Sequence, residues 1–142
     1  MPRATSAPRV ACSAMERAVL LFDEDCGFCR WATDRVLRCD RRAALRALPI
    51  QSEEGDRLLD GMDDRRKLSS WHLASPGRRV DSAGAAVAPL ARLLPLGAPL
   101  ALMAGAFPAA TDALYRTLAR HRTTLARVVG VRACAVDPTR RR

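Results

Sequence analysis

One junction constrains this chain more than anything else in it. A short apolar run, Arg17 to Phe22 (RAVLLF), stops at an acidic triplet, Asp23-Glu24-Asp25, and Cys26-Gly27-Phe28-Cys29 follows at once. A continuous apolar run of this length, ended by turn-forming acids, reads as a buried strand. The stretch from Cys26 to Cys39 reads as a helix. At about 100° per residue, Cys26, Cys29, Thr33, Val36 and Leu37 share one side, and Arg30, Trp31, Asp34 and Arg38 share the other. The cysteines therefore stand where a strand gives way to a helix.

The rest of the chain supplies elements of the same kind. Leu45 to Ile50 reads as a second strand, and Ser52 to Met62 as a short polar helix opened by a serine. Ser70 to Ala74 and Arg78 to Asp81 flank Ser75-Pro76-Gly77, a hairpin signal. Ala85 to Leu94 reads as helix, and Thr111 is placed to cap a last long helix running to Gly130. The expected order is β-α-β-α-β-β-α with extra C-terminal helix, an α/β sandwich whose first βα junction carries the chemistry. Leu93 to Ala110 holds no charge, but three prolines and two glycines interrupt it, so buried or paired short helices are expected rather than a membrane span. In the last helix Leu114, Leu118, Leu125 and Val129 form a stripe opposite Arg116, Arg120 and Arg127, which reads as a core-facing helix with a solvated face.

With 142 residues the chain is one domain, expected over 16–130, with a flexible extension at 1–15 and a basic tail at 131–142. Translation starting at Met15 would remove most of that extension. The net charge of +9 is uneven: from Tyr115 onward there are eight arginines against one aspartate. A basic end on a nearly balanced body argues against a nucleic-acid surface spread over the fold. Five cysteines, at 12, 26, 29, 39 and 134, make an odd number with one close pair, unlike a secreted disulfide framework. No secretory apolar core is visible, so a reducing cytoplasm is expected, where a close pair is catalytic or metal-binding.

A cysteine at a helix start meets unpaired N–H groups and a partial positive charge, both of which favour thiolate over thiol. Cys26, nearer the helix end and exposed, is the expected nucleophile; Cys29, one turn inside, resolves the mixed disulfide. Gly27 leaves the approach to sulfur open, and Phe28 offers an apolar contact to an incoming chain. Asp25 as N-cap would stabilise the helix while opposing thiolate formation. Asp23, ending the strand, is placed to accept the proton of Cys29.

The run Leu21-Phe22-Asp23-Glu24-Asp25-Cys26-Gly27-Phe28-Cys29 resembles the signature of the DCC family of thiol–disulfide oxidoreductases. The family is named for an Asp, two residues, Cys, two residues, Cys; here these are Asp23, Cys26 and Cys29. Asp40-Arg41-Arg42 and Gln51-Ser52 resemble its next segment, and Leu94-Pro95, Pro108, Tyr115, Ala119-Arg120 and Arg122 its C-terminal part. Coverage is about residues 17–128. The resemblance implies a thioredoxin-like fold and dithiol–disulfide exchange with protein or small-molecule disulfides, the electron donor being undefined. No organic cofactor, metal, nucleic acid or membrane partner is implied. Thioredoxins carry a cis-proline before their third strand; here Leu68-Ser69-Ser70 precedes Trp71. Substrate binding therefore need not follow the thioredoxin pattern; the candidate substrate contacts are Gly27, Phe28 and Ser70.

Three rival readings use the same residues. A structural zinc site would combine Cys26, Cys29 and Cys39 with His72 or Cys12, but it lacks a second close pair, and Cys39 reads as a buried helix end. A phosphohydrolase would use Asp23-x-Asp25 as nucleophile and proton carrier, without the further motifs such folds need. A redox-inert binding module would present Trp31 and the arginine helix to a partner, although Trp31 lies where neighbouring arginines stack on it. His72, with no acid or second histidine beside it, reads as structural.

Overall fold

A computed structural model describes residues 17–77 and 79–131. The expected extension at 1–15, nearly all of the expected tail, Cys12 and Cys134 lie outside the described residues. The apolar run becomes β1 (Ala18–Phe22), the central strand of a four-stranded sheet. It pairs in parallel with β2 (Leu45–Pro49) and antiparallel with β3 (His72–Ser75), which pairs antiparallel with β4 (Arg79–Ser82), giving the order β2-β1-β3-β4. Ser75-Pro76-Gly77 makes the β3–β4 turn, where φ is +92° at Gly77, a value that suits glycine.

Both faces of the sheet are covered, which is why β1 is apolar at every position. Ala18 and Leu20 face one layer, packing with Leu45, Leu73 and Leu90 and with Val36 and Leu37 of α1 (Gly27–Cys39). Val19 and Leu21 face the other, with Ile50, Leu59 and Ala74. Leu20, Leu21 and Leu73 are fully buried. Each such leucine contributes roughly 1.5–3 kcal/mol of burial. With helices beyond β4, this is the expected thioredoxin-like α/β sandwich with additional C-terminal helices.

The middle of the chain departs from expectation. The single helix expected over 52–62 is only α2 (Glu53–Leu58), capped by Ser52, whose Oγ accepts the Gly55 N–H at 3.0 Å. A second helix, α3 (Asp64–Ser69), follows, capped by Asp63. Its one buried residue is Lys67, whose ammonium pairs with Asp56 and so ties α3 to α2.

Beyond β4 a 3₁₀ turn (Ala83–Ala86) leads into α4 (Val87–Leu93), α5 (Ala98–Ala106), α6 (Pro108–Arg120) and α7 (Arg122–Val128). The uncharged stretch is thus divided into short paired helices, and among the described residues no helix is long and apolar enough to cross a membrane. It is not buried, however. Ala101 and Ala104 face inward, while Leu100, Leu102, Met103 and Phe107 are exposed. The last helix also differs from expectation. It starts at Pro108, because proline loses nothing at a first-turn position whose N–H has no partner, and Thr111 bonds back to the Phe107 carbonyl at 3.0 Å instead of capping. The helix breaks at His121, whose N–H reaches two carbonyls, Thr117 and Leu118, each at 3.2 Å. The break turns α7 back onto α1. Leu114 and Leu118, expected in the core, are exposed, and Ala126 is the buried residue of this pair.

Gly84 lets α6 sit directly on the 3₁₀ turn. A Cβ there would lie 2.4 Å from the Asp112 Cα, so backbone rests on backbone. The Gly84 N–H donates to Asp112 Oδ1 at 3.3 Å and fixes the approach.

Candidate active site

The turn after β1 is built by a carboxylate and an amide. Asp23 Oδ1 accepts the Asp25 N–H at 3.1 Å and the Gln51 side-chain N–H at 2.6 Å, and Gln51 Oε1 accepts the Glu24 N–H at 3.2 Å. Gln51 lies just past β2, the parallel neighbour of β1, so the ends of adjacent parallel strands hold the turn between them. Asp25 is exposed and is not the cap. Cys26 is itself the N-cap of α1, with extended backbone (φ −95°, ψ 109°) and Sγ accepting the Cys29 N–H at 3.3 Å. A sulfur in that position meets the helix-start donors directly, which favours its anion.

Cys29 behaves in the opposite way. Its thiol is pushed far above the usual range, first by its hydrogen bond to Cys26, then by burial and by charge on Cys26. Asp23 adds to this and Arg122 opposes it. The hydrogen bond to Cys26 and the charge on it thus both favour the protonated form of Cys29.

Accessibility is divided the other way. Cys26 is 1% exposed, against the expectation that it stands open, while Cys29 lines a cavity of about 170 Å³. Asp23, Phe28 and Ser70 line this cavity too, so three further expected residues are brought to it; Gly27 is half-exposed but does not line it. Thr33 adds a buried hydroxyl with no hydrogen-bond partner among the described residues.

The far wall comes from α6 and α7, which are distant in sequence. The Tyr115 ring stacks on Trp71 at 5.7 Å, and its hydroxyl accepts the Trp71 N–H at 3.0 Å. Burial is the main reason the Tyr115 hydroxyl is pushed up to about 12. Arg122 donates to the Leu68 carbonyl at 3.4 Å and adds positive charge near Cys29.

These distances bear on the rival readings. Cys39, expected to be buried, is exposed at the opposite end of α1, roughly 15–20 Å from the pair by helix rise. His72 spends both ring nitrogens elsewhere, Nε2 donating to the Lys67 carbonyl at 2.9 Å and Nδ1 accepting from Ser82 at 2.7 Å. Neither joins the cysteines as a ligand, and His72 is structural, as read. Trp31 stacks on Phe28 with the Arg35 guanidinium 5.4 Å above its ring, so neighbouring side chains already cover it.

The family model described as DCC1-like thiol-disulfide oxidoreductase matches residues 20–128. The chain belongs to this family. The match takes in every residue of the site, from Asp23 to Arg122, and agrees with the resemblance carried by Asp23, Cys26 and Cys29. No curated protein and no solved structure matches the chain. Membership in the DCC1-like family accords with a redox role for the close cysteine pair.

Proposed function

We propose that the chain exchanges electrons with protein or small-molecule disulfides, Cys26 attacking and Cys29 resolving. The observation that carries this reading is the geometry at the start of α1: Cys26 is the N-cap, its Sγ accepts the Cys29 N–H, and this pairing with burial pushes the Cys29 thiol up. The Cys26 thiolate attacks one sulfur of R–S–S–R′, forming Cys26–S–S–R and expelling R′–S⁻, which takes a proton from water. Cys26 then no longer carries charge, so its two contributions that hold the proton on Cys29 vanish. Cys29 yields its proton to Asp23 and attacks Cys26 Sγ; R–S⁻ leaves and takes that proton. Two electrons have passed to the substrate, which ends as two thiols, and a dithiol donor restores the pair. Asp23 suits the proton step because it shares the cavity with Cys29 and acts on its ionisation.

The exchange calls on no organic cofactor, and the cysteine usage supports placing it in the reducing cytoplasm. Because Cys26 is nearly covered, side chains around the cavity must part for the substrate sulfur to arrive, and bulky disulfides react slowly.

The test is the redox equilibrium with glutathione, read by alkylation and mass mapping. One internal disulfide between Cys26 and Cys29 is expected, at roughly −270 to −180 mV. Failure of these two to pair at any ordinary poise overturns the reading. A mixed disulfide should accumulate on Cys26 in Cys29→Ser; accumulation on Cys29 in Cys26→Ser instead would reverse the assigned roles.

A further inference from the structure

Beside the Cys29 cavity lies a larger cleft of about 830 Å³, between α3, the 3₁₀ turn and α6. The two share Ser69, Ser70, Tyr115, Ala119 and Arg122, so they are adjoining chambers of one depression. Their chemistry differs. The small chamber is mostly apolar and holds Cys29; the large one is lined by Arg66, Arg116, Arg120 and Arg122, with Asp112 the one carboxylate among the described residues.

Asp112 is already committed, pairing with Arg116 at 2.7 Å and accepting the Gly84 N–H. Arg66, Arg120 and Arg122 meet no carboxylate at ion-pair distance among the described residues. His72, also on the cleft wall, adds no further positive charge, because burial favours its neutral ring. Three guanidiniums around one concavity give it a positive field that attracts an anion.

We propose that this cleft binds the carboxylates of a low-molecular-weight anionic disulfide, whose S–S bond enters the adjoining chamber beside Cys29 and meets Cys26 when the side chains covering that sulfur part. The proposal rests on the dithiol–disulfide reading above and names its substrate class. Two observations favour a small molecule over a protein client. The cleft has the volume of a small-ligand site, within the usual range of roughly 300–1,000 Å³, whereas the chamber holding Cys29 is about one fifth as large. A thin disulfide with charged ends fits such a narrow throat and wide basic mouth, and a folded surface does not. Thr33, buried with an unpartnered hydroxyl in the throat, offers a polar contact to the part of the ligand near sulfur.

The test compares three disulfides of similar length and different charge: dithiodipropionate, hydroxyethyl disulfide and cystamine. Reduced protein is mixed with each under single-turnover conditions. Each rate is divided by that of the same disulfide with mercaptoethanol, which cancels intrinsic reactivity. The dianion is expected to lead the dication by about 10- to 100-fold at low salt, narrowing as salt is added. Arg66→Ala combined with Arg120→Ala should cut that ratio about tenfold. Arg38→Ala, on the exposed face of α1, controls for the general basic charge and should leave the ratio unchanged. Equal normalised rates for the three disulfides overturn the proposal, and so does an Arg38→Ala effect as large as that at the cleft. A second arm is independent of chemistry. Protein carrying Cys26→Ser and Cys29→Ser is titrated with dithiodipropionate and followed by NMR. Saturable binding that Arg66→Ala with Arg120→Ala abolishes supports the cleft; absence of binding overturns it. Failure of every disulfide to react, with anion binding intact, would instead sink the redox reading alone.

Discussion

On β1, Leu20 and Leu21 are fully buried, whereas on α5 and α6 Leu102 and Leu114 stand 74% and 62% exposed. Both regions looked apolar in the sequence, and each uses its apolar residues differently. The strand lies between two layers, so every side chain meets protein. The C-terminal helices pair through small residues, Ala101 and Ala104 on one and Gly84 opposite another, and leave their large side chains outside. Stability is therefore concentrated in the sheet. The helices contribute side chains to the site, namely Tyr115, Leu118 and Arg122.

Truncating a leucine in each region tests that contrast most strongly. Leu20→Ala should cost about 2–5 kcal/mol through lost burial and the cavity it leaves. Leu102→Ala should stay within about 0.5 kcal/mol, as exposed positions do. Urea midpoints measure both, and comparable losses would show that the helices bury Leu102 in solution.

A smaller effect comes from the polar group inside the sheet region. Burial is the main reason the His72 imidazole is harder to protonate when folded. The unfolded chain takes up that proton near pH 6.5, so below this pH it binds more protons than the folded one. Stability then falls with decreasing pH by at most about 1.4 kcal/mol per unit, and the fall ends below the folded pKa. Denaturant melts between pH 7.5 and 5.5 should show the decline; a flat profile would mean that His72 is charged or solvated in the fold.

The smallest effect belongs where the two regions meet. Thr33 on α1 faces the cavity that α6 closes, and its hydroxyl is buried without a partner among the described residues. Thr33→Val removes an unsatisfied polar atom at nearly constant shape, so it should stabilise the protein by about 1 kcal/mol. A loss of stability in the same melts would show that the hydroxyl has a bonding partner.

What could be read in advance was local. The strand, the Cys26–Cys39 helix and the Pro76-Gly77 turn each announce themselves within about a dozen residues by period or punctuation. Helix α3 did not, because its inward face is one residue, Lys67, which reads as surface but buries its stem and pairs with Asp56. The cap went to Asp25 in expectation because a carboxylate is the better capping group; the backbone instead places Cys26 there, one residue on. Both cysteines and Asp23 were legible because they lie on one junction. The opening was not, since Tyr115 reaches Trp71 across 44 residues and Arg122 reaches Leu68 across 54. Gln51 was within reach of sequence reasoning, because loops after neighbouring parallel strands converge at their carboxyl ends. Tyr115 and Arg122 were visible only as positions shared with a family.

Gly84 sets a dimensional tolerance for the mouth of the candidate site from outside it. A methyl group at that position would push against the Asp112 backbone, and α6 is stiff enough to carry the displacement to Tyr115, less than one turn further on. The hydroxyl that latches onto Trp71 would then lose its seat, and the throat beside Cys29 would change width with all its lining residues intact. Two chains of identical active-site composition could in this way admit different partners, distinguished by a single hydrogen or methyl at the back of a helix.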